Sequence, residues 1–82
     1  MNVVLDRNAA KELERTNEPL KSRIIEALNG LRNEPPQGDI KKLQGKDGYR
    51  RRVGSYRIVF DITETEVIVY KIAPRGQAYK GG

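Results

Sequence analysis

The first half of the chain combines one short strand pattern with two helical patterns. Asn2–Asp6 is an apolar run ended by a polar residue, which predicts a strand. Residues 7–15 favour helix, with Ala9, Ala10 and Leu13 on one side. A second helix, with Pro19 in its first turn, presents an apolar stripe made of Leu20, Ile24, Ile25, Leu28 and Leu31. Pro35-Pro36 stops it, and we expect an antiparallel helical hairpin that covers a sheet.

The second half changes to the two-residue period of strands. Tyr49–Val53 and Tyr56–Ile62 flank Gly54-Ser55, a two-residue loop that suits a type II′ hairpin. Glu66–Ala73, rich in Val and Ile, is another strand, reached through the turn 63–65. The order β-α-α-β-β-β predicts an α+β fold with a mainly antiparallel four-stranded sheet and a helical hairpin on one face. We expect residues 1–82 to form a single domain, because so short a chain cannot build two cores.

The two-residue loop also predicts which side chains share a face of the hairpin. Strand alternation places five mostly apolar residues on the side that we assign to the core, namely Tyr49, Val53, Tyr56, Ile58 and Phe60. Arg50, Arg52 and Arg57 share the other side, with Arg52 directly opposite Arg57. Arg51 points to the apolar side, where we expect a structural role. Either its methylene groups lie along the core while its charged end reaches water, or it forms an ion pair with a helix carboxylate, namely Glu12, Glu14 or Glu26.

The opposed arginines indicate a binding function. Like charges directly opposite each other on a sheet lie about 5 Å apart and destabilise the pairing, and such local costs tend to occur at functional sites. A guanidinium group presents paired donors that match phosphate oxygens. We therefore interpret Arg50, Arg52 and Arg57 as phosphate ligands. The alternative interpretation is a water-exposed surface that binds nothing.

The distribution of charge agrees with a phosphate partner. The net charge is +5, yet residues 41–57 and 71–80 together hold ten basic residues and one acidic residue. The rest of the chain keeps six of the 16 basic and ten of the 11 acidic residues. A basic patch on an acidic body is typical of nucleic-acid binding, although solvated surface lysines are the common alternative. Within the patch, the candidate RNA-binding lysines are Lys41, Lys42, Lys46 and Lys80.

The missing residue types exclude several kinds of site. The chain has no cysteine and no histidine, so thiolate metal sites, disulfides, haem ligation and a histidine-based triad are not expected. We expect no metal and no cofactor. No apolar run approaches the roughly 20 residues of a membrane span, and no signal peptide precedes the first strand. These features predict a cytoplasmic protein without a membrane partner.

Three segments resemble the RelE toxins of bacterial and archaeal toxin–antitoxin pairs. They are Ile40–Gly45 (IKKLQG), Gly48–Phe60 (GYRRRVGSYRIVF) and Arg75–Tyr79 (RGQAY). The resemblance covers nearly the whole chain, including the order of elements. It implies a ribosome-dependent endoribonuclease that cuts messenger RNA in the decoding site. It also implies a cognate antitoxin that wraps around the toxin, and a complex that binds operator DNA to repress its own operon. By residue type, the implied catalytic residues are Arg50, Arg52, Arg57, Arg75 and Tyr79.

The implied reaction is attack of a ribose 2′-hydroxyl on the adjacent phosphate, which requires in-line geometry, charge stabilisation, a base and an acid. Arg57 and Arg75 suit charge stabilisation, and Tyr79 can stack on a base. The general base stays open among a deprotonated Arg50 or Arg52, Tyr79 and a ribosomal RNA group, since arginine is a poor proton acceptor. Two other functions also stay open: a non-nuclease toxin like the ParE gyrase inhibitors, and an RNA-binding module or decayed toxin.

Overall fold

The computed structural model describes residues 1–74. Two helices and five strands follow one another along the chain. They are β1 (Asn2–Leu5), α1 (Arg7–Arg15), α2 (Leu20–Gly30), β2 (Ile40–Lys42), β3 (Tyr49–Val53), β4 (Tyr56–Ile62) and β5 (Glu66–Pro74). The predicted boundaries of the β3–β4 hairpin agree with the structure.

The strands form one sheet in the order β1-β5-β4-β3-β2. β1 runs parallel to β5, and the three other pairings are antiparallel. The predicted α+β fold, with a mainly antiparallel sheet and the helices on one face, is therefore confirmed. The predicted number of strands was wrong by one, because β2 has only three residues and a single apolar side chain, Ile40. So short a segment carries no periodic signal of its own.

Local hydrogen bonds determine where α1 begins and ends. The Asp6 side chain accepts a hydrogen bond from the Ala9 N–H at 2.9 Å, as an N-cap residue does. At the other end, the Thr16 hydroxyl donates to the Glu12 carbonyl oxygen at 2.7 Å. Thr16 is extended and buried, and the chain turns there toward α2.

The apolar side of each helix differs from the predicted stripe at one position. Ala10 of α1 is exposed, and Ile25 of α2 is 40% exposed, while Ala27 is buried in its place. Positions 24, 27, 28 and 31 follow the 3.6-residue period, whereas position 25 lies about 100° away from position 24. Pro19 is the residue just before α2 rather than part of its first turn.

The core lies between the helices and one face of the sheet. Its buried side chains come from α1, α2 and three central strands, namely Ala9, Ile24, Ala27, Leu28, Leu31, Val53, Ile58, Phe60, Val67, Val69 and Ile72. The Tyr49 and Phe60 rings stack in this core with centroids 5.9 Å apart. The hairpin face predicted to be apolar is therefore the core face. Within residues 1–74, no helix is both long and apolar enough to cross a membrane.

A β-bulge interrupts the pairing of β4 with β5. Val59 pairs with Lys71, but the next residue, Phe60, pairs with Val69, so Tyr70 is left as an extra residue in β5. Such a bulge turns two consecutive side chains toward the same side of the sheet. Tyr70 and Lys71 therefore both lie on the face opposite the helices, next to Val59.

Candidate functional site

The face of the sheet opposite the helices, which we call the arginine face, is built by the β3–β4 hairpin. The register is the predicted one: Arg50 pairs with Val59 and Arg52 pairs with Arg57. Since alternate residues share a face, all three arginines lie on the arginine face. The hairpin thus brings two guanidinium side chains directly opposite each other, and a third lies two residues away on the same strand.

The neighbouring strands extend this basic surface. On one side, Lys41 of β2 pairs with Arg50. On the other side, the bulge places Lys71 of β5 opposite Val59. A row made of Lys41, Arg50, Val59 and Lys71 therefore crosses four strands. Lys71 joins this row because of the bulge, which could not be predicted from the sequence.

Arg57 differs from its neighbours in burial. It is 3% exposed, whereas Arg50 and Arg52 are only partly buried. From the sequence we expected Arg57 to lie on an accessible surface, but the structure buries it. A charge held this far from water must contribute to the packing of the arginine face as well as to its electrostatic potential.

Some polar atoms of the cluster are buried without a hydrogen bond. Among residues 1–74, the Arg50 Nη1 and the Arg52 Nε atoms lack both solvent contact and a hydrogen-bond partner. An unsatisfied buried donor costs about 1–3 kcal/mol. An anion bound at this face would supply acceptors for such donors, which is a stronger argument for a ligand than the count of charges alone.

Arg51 lies on the opposite side of the hairpin, as predicted, but it forms no salt bridge with Glu12, Glu14 or Glu26 in the described part of the chain. Its guanidinium group instead donates to the backbone oxygen of Arg52. Gly38 makes room for it, since a Cβ atom there would overlap the Arg51 side chain. Of the two structural roles expected for Arg51, the ion pair is therefore not formed among residues 1–74. One guanidinium nitrogen bonds a carbonyl nearby in sequence, while the buried Nε atom has no hydrogen-bond partner there.

The groove next to Arg51 borders the arginine face, with which it shares Arg52. It has a volume of about 510 Å³ and lies between α2 and the end of the hairpin. Its charged lining is mixed, with Arg23, Glu26, Arg51 and Arg52.

The remaining predicted site residues fall in different places. Lys42 pairs with Tyr49, so alternation turns it away from the arginine face, and Lys46 lies in the exposed turn between β2 and β3. Arg75, Tyr79 and Lys80 lie outside the described residues. Of the three candidate lysines within residues 1–74, Lys41 is the one that the structure brings next to an arginine of the cluster.

Sequence reasoning missed Tyr70 as a residue of this face. A Cβ atom on Gly48 would lie 2.7 Å from the Tyr70 hydroxyl oxygen, so the phenol reaches toward the start of β3. Burial, together with the Asp61 and Asp47 carboxylates, raises the pKa of Tyr70. The sequence carried no clear signal for it, because the shift of alternation between Val69 and Ile72 becomes visible only from which residues are buried.

The chemistry available at this face is electrostatic. The arginines can bind phosphate oxygens and stabilise negative charge that develops on them. In residues 1–74, no group of three or more His, Cys, Asp or Glu side chains is placed to hold a metal ion. Asp61, one of the two carboxylates near Tyr70, pairs with Ile68 toward the far end of β4.

The sequence profile of the ParE toxins of type II toxin–antitoxin systems matches residues 3–79, which is nearly the whole chain. The chain belongs to this toxin family. The sequence matches no curated protein significantly.

Solved structures place the same fold among the RelE toxins. The archaeal RelE in complex with RelB from Pyrococcus horikoshii is 27% identical, with a TM-score of 0.77, over 93% of this chain and 96% of that one. The toxin of the RelB–RelE complex from Methanococcus jannaschii is 26% identical, with a TM-score of 0.76, over 95% and 96% of the two chains. A RelBE complex from Mycobacterium tuberculosis shares the fold at 20% identity, with a TM-score of 0.76, over 90% and 96%. The resemblance to RelE and ParE toxins noted from the sequence is therefore confirmed.

Proposed function

We propose that this toxin is a ribosome-dependent endoribonuclease that cleaves messenger RNA in the ribosomal A site, and that a cognate antitoxin neutralises it. The observation that carries the proposal is the pairing of Arg52 with Arg57 beside Arg50 on one face of the sheet. This arrangement costs stability and leaves buried donors unsatisfied, both of which a bound RNA backbone would relieve.

The proposed reaction begins with attack of a ribose 2′-oxygen on the adjacent phosphorus. The bond from phosphorus to the 5′-oxygen of the next nucleotide then breaks, which leaves a 2′,3′-cyclic phosphate and a free 5′-hydroxyl. Arg50 and Arg52 hold the phosphate, while Arg57 and Arg75 stabilise the charge that develops on its oxygens. Tyr79 orients the nucleotide, and Lys41, Lys42, Lys46 and Lys80 attract the flanking RNA backbone.

The proton transfers are assigned to groups outside the arginine cluster. The chain contains no histidine, and arginine is too weak a base to accept the 2′-hydroxyl proton at neutral pH. The base is Tyr79 or a group of ribosomal RNA. An enzyme that lacks its own acid–base pair would be inactive away from the ribosome, which explains the proposed dependence on it.

The antitoxin partner is supported by the structural relatives, two of which are RelE toxins in complex with RelB. A basic toxin surface favours an antitoxin segment with acidic residues. We further propose that the toxin acts in the cytoplasm, and that its complex with the antitoxin binds operator DNA.

The test is to map message ends after adding the toxin to programmed ribosomes. The variant Arg50→Ala, Arg52→Ala should cleave at least about 100-fold more slowly, since removing a single stabilising donor typically costs that much. The control variant Arg7→Ala, Arg32→Ala removes the same charge from exposed positions away from the arginine face and should retain activity. Equal cleavage by both double variants would contradict the proposal.

A second function, inhibition of DNA gyrase like that of ParE toxins, is favoured by the match to the ParE family. A protein–protein inhibitor has no need for a cluster of phosphate-directed arginines, so the arginine face argues against it. The same preparation distinguishes the two functions. Inhibited supercoiling with an intact message would support the gyrase inhibitor, and site-dependent cuts with unaffected gyrase would support the nuclease.

A further inference from the structure

The bulge in β5 redirects one aromatic side chain onto the arginine face. Without the extra residue, strict alternation after Val69 could not return Ile72 to the core, three positions later. The bulge resolves this by placing Tyr70 and Lys71 side by side opposite Val59. Bulges are frequent next to functional sites, where they re-aim a side chain.

The Tyr70 ring lies across β4. Its hydroxyl oxygen reaches Gly48 at the start of β3, and β5 is separated from β3 by two strand spacings, or roughly 9.6 Å. The Tyr70 side chain can extend that far only if it runs parallel to the sheet surface instead of perpendicular to it. Val59, which is 8% exposed, lies beside it, and Gly48 has no side chain to obstruct its tip.

The immediate surroundings place this ring next to the proposed phosphate ligands. Val59, the neighbour of Tyr70 across the bulge, pairs on its other side with Arg50. The tip of the ring lies near Leu43, whose Cδ1 atom is 3.3 Å from the position that a Gly48 Cβ would occupy. The result is an aromatic and apolar strip beside a cationic one, and Tyr70 itself remains partly exposed.

We propose that Tyr70 is a positioning residue on which one unpaired base of the message stacks while Arg50 holds the neighbouring phosphate. Every base has a π-face, so stacking selects unpaired RNA and orients the nucleotide with little regard to its identity. Proteins that bind single-stranded nucleic acid combine a positively charged surface with aromatic side chains on which bases stack. This inference rests on the proposed nuclease function.

The test compares three forms of the toxin on programmed ribosomes. Tyr70→Leu keeps an apolar side chain but removes the π-face, and it should cleave about 5- to 150-fold more slowly. Tyr70→Phe keeps the ring and should stay within about twofold of the unmodified toxin. Messages that lack one base of the A-site codon at a time supply the decisive comparison. When the missing base is the one that stacks on Tyr70, Tyr70→Leu and the unmodified toxin should cleave that message at the same rate.

A purely structural role gives a different result, in which Tyr70→Leu slows cleavage equally on every message, abasic or not. That outcome would overturn the inference, as would equal rates for Tyr70→Leu and the unmodified toxin on the intact message. An unmodified toxin that cuts no message would overturn the proposed function and the inference together.

If Tyr70→Leu does not fold, fluorescence of 2-aminopurine in an uncleavable 2′-deoxy message provides a second measurement. Both the unmodified toxin and Tyr70→Phe should quench the fluorescence at one A-site position. Absence of quenching at every position would overturn the inference.

Discussion

Replacing Arg52 with threonine should stabilise the toxin, and it should abolish the cleavage that we propose for it. Arg52 lies directly opposite Arg57. Two unit charges in water repel each other by roughly 0.8 kcal/mol at about 5 Å, the usual separation of opposed Cβ atoms on a sheet. Favourable cross-strand pairs contribute about 0.2–1 kcal/mol, and directly opposed like charges destabilise a sheet, so we take a cost of the same size. Threonine favours strands, so it adds no penalty of its own. In a domain of this size, the expected rise in Tm is about 1–8 °C.

The assay is thermal unfolding at low salt and in about 1 M salt, where the screening length falls to roughly 3 Å. The stabilisation by Arg52→Thr should shrink to a small fraction in high salt, because it comes from removed repulsion. Lys42→Thr is the matched control, since Lys42 is an exposed strand residue that pairs with Tyr49 rather than with a charge. We expect it to change Tm little at either salt concentration.

A lower Tm for Arg52→Thr, or a gain that salt leaves unchanged, would refute the reasoning. Arg57 is unsuitable for the same experiment. It is 3% exposed, so truncating it removes packed atoms as well as a charge, and we expect that loss to exceed the relief of repulsion. We therefore expect truncation to leave the fold intact at Arg50 and Arg52, which are only partly buried, but not at Arg57.

Two further predictions concern the core and the titration of Tyr70. Leu28→Ala should lower the free energy of unfolding by about 2–5 kcal/mol, because Leu28 is 7% exposed in the core. Ile25→Ala, at a position 40% exposed, should cost much less, and equal losses in urea unfolding would show that α2 is rotated. The pKa of Tyr70 is raised by burial and nearby carboxylates, so its contribution to stability is complete below about pH 10 and is lost as pH rises through the folded-state pKa. Tyr70→Phe should therefore lose less stability than the unmodified toxin between neutral pH and about pH 11, and identical pH profiles would contradict this.

The sequence alone was sufficient for the β3–β4 hairpin and for the division of its arginines between two faces. The loop Gly54-Ser55 has two residues, so it leaves one register, and strand alternation then assigns Arg50, Arg52 and Arg57 to one side and Arg51 to the other. These relations act over a few residues and need no distant partner, which is why they could be predicted.

Other features were decided only by the tertiary structure. β2 exists because β3 offers it hydrogen-bond partners, and its three residues show no pattern of their own. The carboxylates of the helices lie out of ion-pairing distance of Arg51, so a backbone oxygen binds it instead. The burial of Arg57 and the bulge at Tyr70 both depend on how β5 aligns with β4. That alignment is determined by which residues the whole molecule can bury, and no local segment contains this information.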